Sequence, residues 1–104
     1  MSEKKEQIIN TIDELEEIVD LFYQQKNQEA FEKMDNALKD LENSINIIAM
    51  YQKEHADLVV DENKIYNTLK DAMDALEKGD VVLLADIFQY EFIEYLSGLC
   101  SNME

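Results

Sequence analysis

Apolar residues recur along this chain at intervals of three and four, the spacing of one face of an α-helix, in four separate stretches. In the first, Ile8, Ile12, Leu15, Val19 and Phe22 form the stripe and Ile9, Ile18 and Leu21 widen it, which predicts a helix from Ser2 or Glu3 to Tyr23. Asp13, Glu14, Glu16, Glu17 and Asp20 fall between those positions and read as its wet face. The pattern breaks over Gln24 to Gln28, where Asn27 is the candidate N-cap of the next element. Phe31, Met34, Leu38, Leu41, Ile45 and Ile48 then repeat the spacing, predicting a helix from Gln28 to Glu54. At its rise per residue this helix is roughly 40 Å long. Ile47 and Met50 fall off its stripe, at a third neighbour or an oligomer contact.

The connection His55 to Val60, HADLVV, carries apolar residues, and Leu58, Val59 and Val60 are expected to fold back over one end of the bundle. Asp61 caps a third helix whose stripe is Ile65, Leu69, Ala72 and Leu76, flanked by Tyr66 and Met73 and ended by Lys78 and Gly79. Asp80 caps the fourth helix at once, so the last two helices form an antiparallel hairpin. In Val81 to Cys100, Leu84, Phe88, Phe92, Tyr95 and Leu99 make one stripe, and Leu83, Ile87, Tyr90 and Ile93 carry apolar surface round to the flanks. Such a helix needs cover on more than one side, and the other three read as walls around it. Its carboxylates Asp86, Glu91 and Glu94 would each cost about 3 kcal/mol at the centre of a bilayer, so the cover is protein and not lipid. SGLCSNME after Leu96 reads as a fraying end. Short connections between four helices predict an all-α fold, an antiparallel up-down four-helix bundle spanning residues 1–104 as one domain.

Composition supports that fold and narrows the partners. The 104 residues include no Pro and two Gly, and enough Leu, Ile, Val and Phe to build a single core. Asp and Glu number 24 against 9 basic residues, all lysines, for a net charge of −15. A field of that sign repels phosphate backbones and anionic lipid, so neither nucleic acid nor membrane is an expected partner. A lone cysteine, Cys100, fits a reducing cytoplasm, and MSEKKEQ offers no apolar run of the kind a signal peptide needs.

Candidate chemistry is sparse. Four-helix bundles build di-metal centres from Glu-x-x-His pairs, but the one histidine, His55, directly follows Glu54 at a helix end, and Glu91 with Glu94 has no imidazole to complete a site. Asp61-Glu62-Asn63 opens like a calcium loop, yet Tyr66 and Ala72 stand where that loop needs Gly and the closing Glu. Cys100 has no nearby His or basic neighbour in sequence to activate it, and the two glycines, Gly79 and Gly98, make no phosphate loop. A phosphopantetheine carrier would need an Asp-Ser-Leu turn, and Gly79-Asp80-Val81 has no serine. No metal, cofactor or catalytic residue is therefore expected. Asp86, inside VVLLADIF, either faces solvent beside Gln89 or, if buried, pairs with a Lys or a Tyr hydroxyl and fixes the register of its helix.

Two blocks, Asn27 to Ile48 and KGDVVLLADIFQYEFIEYL from Lys78 to Leu96, resemble small helical proteins of Firmicutes whose hallmark is GD-x-x-LLAD-x-x-x-YE. The match falls on Gly79, Asp80, Leu83, Leu84, Ala85, Asp86, Tyr90 and Glu91. More loosely the chain is similar to the flagellar secretion chaperone FliS. Chaperones of that kind are antiparallel helical bundles that hold an export substrate's helices in apolar grooves. The resemblance thus implies a non-enzymatic chaperone or adaptor with its groove beside the fourth helix. The apolar excess of Leu83, Leu84, Ile87, Phe88, Phe92 and Tyr95 marks these six as the expected partner-binding residues, for an amphipathic helix. Two alternatives remain: a structural homodimer that uses the same face on itself, and an acidic inhibitor of a nucleic-acid-binding protein.

Overall fold

The computed structural model describes residues 3–103. α1 spans Glu3–Tyr23, α2 Asn27–Glu54 and α3 Glu62–Glu77. α4 follows as three abutting stretches: α-helical Val81–Ile87, π-helical Phe88–Ile93 and α-helical Glu94–Ser101. No strand occurs among the described residues, and the fold is the all-α four-helix bundle that the spacing predicts. The long axis of the molecule, 41 Å, is set by α2, whose 28 residues extend about 42 Å. The alternative start of α1 at Ser2 lies outside the described residues.

Contacts between the helices fix their directions. Near one end Lys5 Nζ donates to the carbonyl of Met103 at 3.0 Å, and near the other the Tyr23 hydroxyl donates to Asp86, so α1 and α4 run antiparallel. Lys33 meets Glu17 at 3.2 Å and Thr11 meets Ser44 at 2.8 Å, which sets α2 antiparallel to α1. Lys64 reaches Glu91 at 3.0 Å, while the amide of Asp61 donates to the Tyr95 hydroxyl at 2.8 Å, which sets α3 antiparallel to α4.

The same closure forms both hairpins. α1 ends with Gln25 in the left-handed conformation at φ 63°, Lys26 N bonding Leu21 O and Gln25 N bonding Phe22 O. α3 ends with Gly79 at φ 71°, Asp80 N bonding Ala75 O and Gly79 N bonding Leu76 O. These paired bonds satisfy carbonyls that a helix end otherwise leaves orphaned. Asp61 and Asp80 cap α3 and α4 as their sequence position predicts, accepting from Lys64 N at 3.0 Å and Leu83 N at 3.1 Å. Asn27 does not cap α2. The cap position is Lys26, and Asn27 lies in the first turn with its side-chain oxygen buried and without a hydrogen-bond partner.

Packing makes a chain of neighbours rather than a ring of walls. α1 lies along α2 and along α4, α3 packs on α4, and α2 and α3 make no comparable approach. The core therefore runs through α1 and α4 together: Ile8, Leu15 and Ile18 of α1 and Leu84, Phe88 and Leu96 of α4 are all sealed. α2 turns Ala30, Met34, Ala37, Leu41, Ser44 and Ile48 toward it. Ser44 is the polar member of that stripe, and the Thr11 hydroxyl beside it also reaches the carbonyls of Gln7 at 3.0 Å and Asp40 at 3.2 Å. A buried hydroxyl pair bonded in this way avoids the cost of about 1 to 3 kcal/mol of an unpaired one.

Two expectations about the chain's ends change. Only Leu58 of the aliphatic run folds fully into the core; Val60 is half-buried and Val59 stands in solvent. The C-terminal stretch does not fray: α4 continues to Ser101, with Leu99, Cys100 and Met103 buried against the rest.

Candidate partner-binding groove

The π-helical stretch explains how α4 hides so much apolar surface inside one chain. Residues spaced by four drift about 40° per step around an α-helix, so Leu84, Phe88, Phe92 and Leu96 would wind off any single face. A wider π turn takes up the drift, and all four are buried. The inward position after the π turn is therefore Leu96 rather than Tyr95, which is half-buried and turned toward α3 and its connection.

This corrects the expected binding residues. Leu84 and Phe88 are 0 % exposed and Phe92 2 %, with Ile87 also buried, so these four belong to the core and line no open groove. Tyr95 spends its hydroxyl on the Asp61 amide, and Leu83 alone of the six is exposed, at 46 %. α1 and α3 between them cover most of the perimeter of α4.

The open apolar surface lies instead between α2 and α3. Leu38, Ile45 and Ala49 on α2 face Ile65, Leu69 and Met73 on α3 across two adjoining hollows of about 360 and 250 Å³. Ile45 and Leu69 line both hollows, so they form one trough. It extends over twelve residues of α2, from Leu38 to Ala49, or about 17 Å. Glu42 and Glu62 stand on its rim. Sequence spacing identified all of these except Ala49 but assigned them to the core. A usable signal was present: α2 carries Leu38 and Ile45 beside a second, complete stripe of Met34, Leu41 and Ile48, more apolar arc than one neighbouring helix covers.

The polar residues singled out from sequence act within the fold. Asp86 is half-buried and accepts from the Tyr23 hydroxyl, the paired arrangement, and not the solvent-facing one. That bond, then desolvation and the Asp86 charge, pushes the Tyr23 hydroxyl up to about 12. Gly79, Asp80, Leu84 and Asp86 of the GD-x-x-LLAD hairpin thus supply, in order, a left-handed turn, a helix cap, a core side chain and a tie to α1. Cys100 is buried, which raises its thiol while Lys5 lowers it to a lesser extent. His55 closes α2 with its ring stacked on Tyr51 at 3.9 Å. Among the described residues no three His, Cys, Asp or Glu side chains converge as metal ligands, and no helix is long and apolar enough to cross a membrane.

Fold and trough together define a class: an acidic, all-α four-helix bundle left open along one apolar seam. The chain belongs to a family of domains of unknown function, DUF8042, whose model matches residues 1–101. No curated protein and no solved structure matches it.

Proposed function

We propose that this chain is a non-enzymatic protein-binding module of the cytoplasm, a chaperone or adaptor of the FliS-like kind, that accepts an amphipathic helix in the α2–α3 trough. The observation that carries this reading is the unfilled apolar seam: α1 seals its contacts with α2 and α4, whereas Ile45, Leu69 and Met73 face a gap of helical length. A fifth helix laid in that gap completes the packing that the two flanking helices lack. The looser similarity of the chain to helix-holding chaperones supports the class of function, although it implies a groove beside α4 and not between α2 and α3.

Charge selects the occupant. Glu42 and Glu62 on the rim and a net charge of −15 favour a helix with lysines or arginines on its polar face. Pairing two copies through this seam would bring two such chains together rim to rim, and like charges oppose that.

The test uses a synthetic helix with leucines on one face and lysines on the other, and an analogue carrying glutamates in place of the lysines. Titrated into the full chain, the lysine peptide is expected to shift the methyl NMR signals of Ile45, Leu69 and Met73, and to do so less as salt rises. Shifts scattered elsewhere, or equal shifts from the glutamate analogue, would overturn the reading. Met73→Asp, at an exposed position of the trough wall, is the variant expected to remove binding while the bundle stays folded. Phe88→Asp is unsuited, because it places a carboxylate in the sealed core.

A further inference from the structure

α3 is held more lightly than the other three helices. It packs closely on α4 and makes no comparable approach to α1 or α2. Of its side chains only Ala72 and Ala75 are sealed within the main core, with Leu69 and Leu76 half-buried against it. Ile65 is covered too, but apart from that core. α2, packed along α1, places Met34, Leu41 and Ile48 there besides two alanines. Two methyl groups remove far less apolar surface from water than three long side chains, so α3 is the helix that separates most readily from its neighbour.

Its polar fastenings are slight as well. The Thr68 hydroxyl donates to the Lys64 carbonyl at 2.7 Å, a bond within α3 itself. Lys64 pairs with Glu91 and lies 5.6 Å over the Tyr95 ring, but both charged side chains stand nearly half in water, where such a pair holds little. The firmest tie is the Asp61 amide, donating to the Tyr95 hydroxyl at 2.8 Å. A joint stands at each end of the helix. After Glu77 the chain turns through Gly79 at φ 71°, where nothing packs within 4 Å of the place a side chain would take. Before Asp61, Leu58 is anchored in the core and its carbonyl accepts from Gln52 Nε2 at 3.2 Å, whereas Val59 next to it is 82 % exposed.

We infer that α3 is the movable wall of the trough. It swings off α4 as a unit on these two joints while α1, α2 and α4 stay packed, which widens the gap to α2, and a helix lying in that gap holds it closed. The holding step rests on the reading of the trough as a helix-binding site; the swing itself does not.

Amide hydrogen exchange of the full chain, followed by NMR at low denaturant, tests this. Amides in the middle of α3, from Leu69 to Ala75, are expected to exchange together and on the order of tenfold faster, relative to their intrinsic rates, than the slowest amides of α1 and α4, with a weaker dependence on denaturant. Ile48→Val, in the α1–α2 seam, is expected to speed those slowest amides about fivefold and to leave α3 at its own rate, because α3 opens with that seam intact. The lysine-faced peptide is expected to slow exchange in α3 in step with its occupancy of the trough. Exchange of α3 at the rate and denaturant dependence of α1, or a rise in its rate equal to that of α1 in Ile48→Val, would overturn the swing. A peptide that shifts the trough methyl signals yet leaves α3 exchange unchanged overturns the holding step while the trough keeps its function. A peptide that shifts none of them overturns that step and the function together, and exchange in the free chain still decides whether α3 swings.

Discussion

Gln25 carries a conformational cost that its counterpart Gly79 does not. Both sit at the left-handed position of the same helix-ending motif, at φ 63° and 71°, but a side chain disfavours that region by about 1 kcal/mol or more. Gln25→Gly is therefore expected to stabilise the protein by up to about 1 kcal/mol in denaturant unfolding, with an unchanged α1–α2 turn. Single residues were unevenly legible in the sequence. Asp61 and Asp80 each precede a clean apolar run and both cap as expected. Asn27 misled because the break between α1 and α2 contains no glycine, which hid the position where the chain turns. Asp86 was resolvable only to two alternatives, since its partner, Tyr23, lies sixty-three residues away in the chain.

Among the helices, the one irregular element decides what the bundle can bury. A reading that assumes 3.6 residues per turn throughout places Tyr95 inward and leaves surplus apolar perimeter on α4; the π stretch Phe88–Ile93 moves the inward position to Leu96 and removes most of that surplus. The repeated four-residue spacing of Leu84, Phe88, Phe92 and Leu96 carried this information, since no straight α-helix keeps such a set on one face. Deleting the exposed Tyr90 would return the stretch to α-helical winding without rotating its neighbours out of the core. Such a deletion is expected to lower the thermal midpoint less than deletion of Ser97, which rotates Leu99 and Cys100 about 100° outward. Thermal unfolding of the two deletion variants, followed by circular dichroism, compares them directly.

At the scale of the whole molecule, helix number, order and direction were legible, because amphipathic spacing and short connections specify an up-down bundle almost alone. The location of the open seam was not. Spacing says how much apolar surface a helix carries but not which neighbour takes each part of it, so Leu38, Ile45 and Leu69 read as core and Leu84 and Phe88 as binding face. The arrangement in space reverses these roles, since α4 shares the middle of the molecule with α1 while α2 and α3 stand at its two edges.

The seven-residue link from His55 to Asp61 has a further consequence. It is the one stretch of chain joining the first hairpin to the second, and Ala56 and Asp57 at its middle are exposed. What keeps the halves together is the α1–α4 interface, fastened by Tyr23 with Asp86 near one end and Lys5 with the Met103 carbonyl near the other. A protease cut between Ala56 and Asp57 should therefore leave two fragments that co-elute at the size of the intact protein. Separately expressed halves should reconstitute it on mixing, as a split protein does.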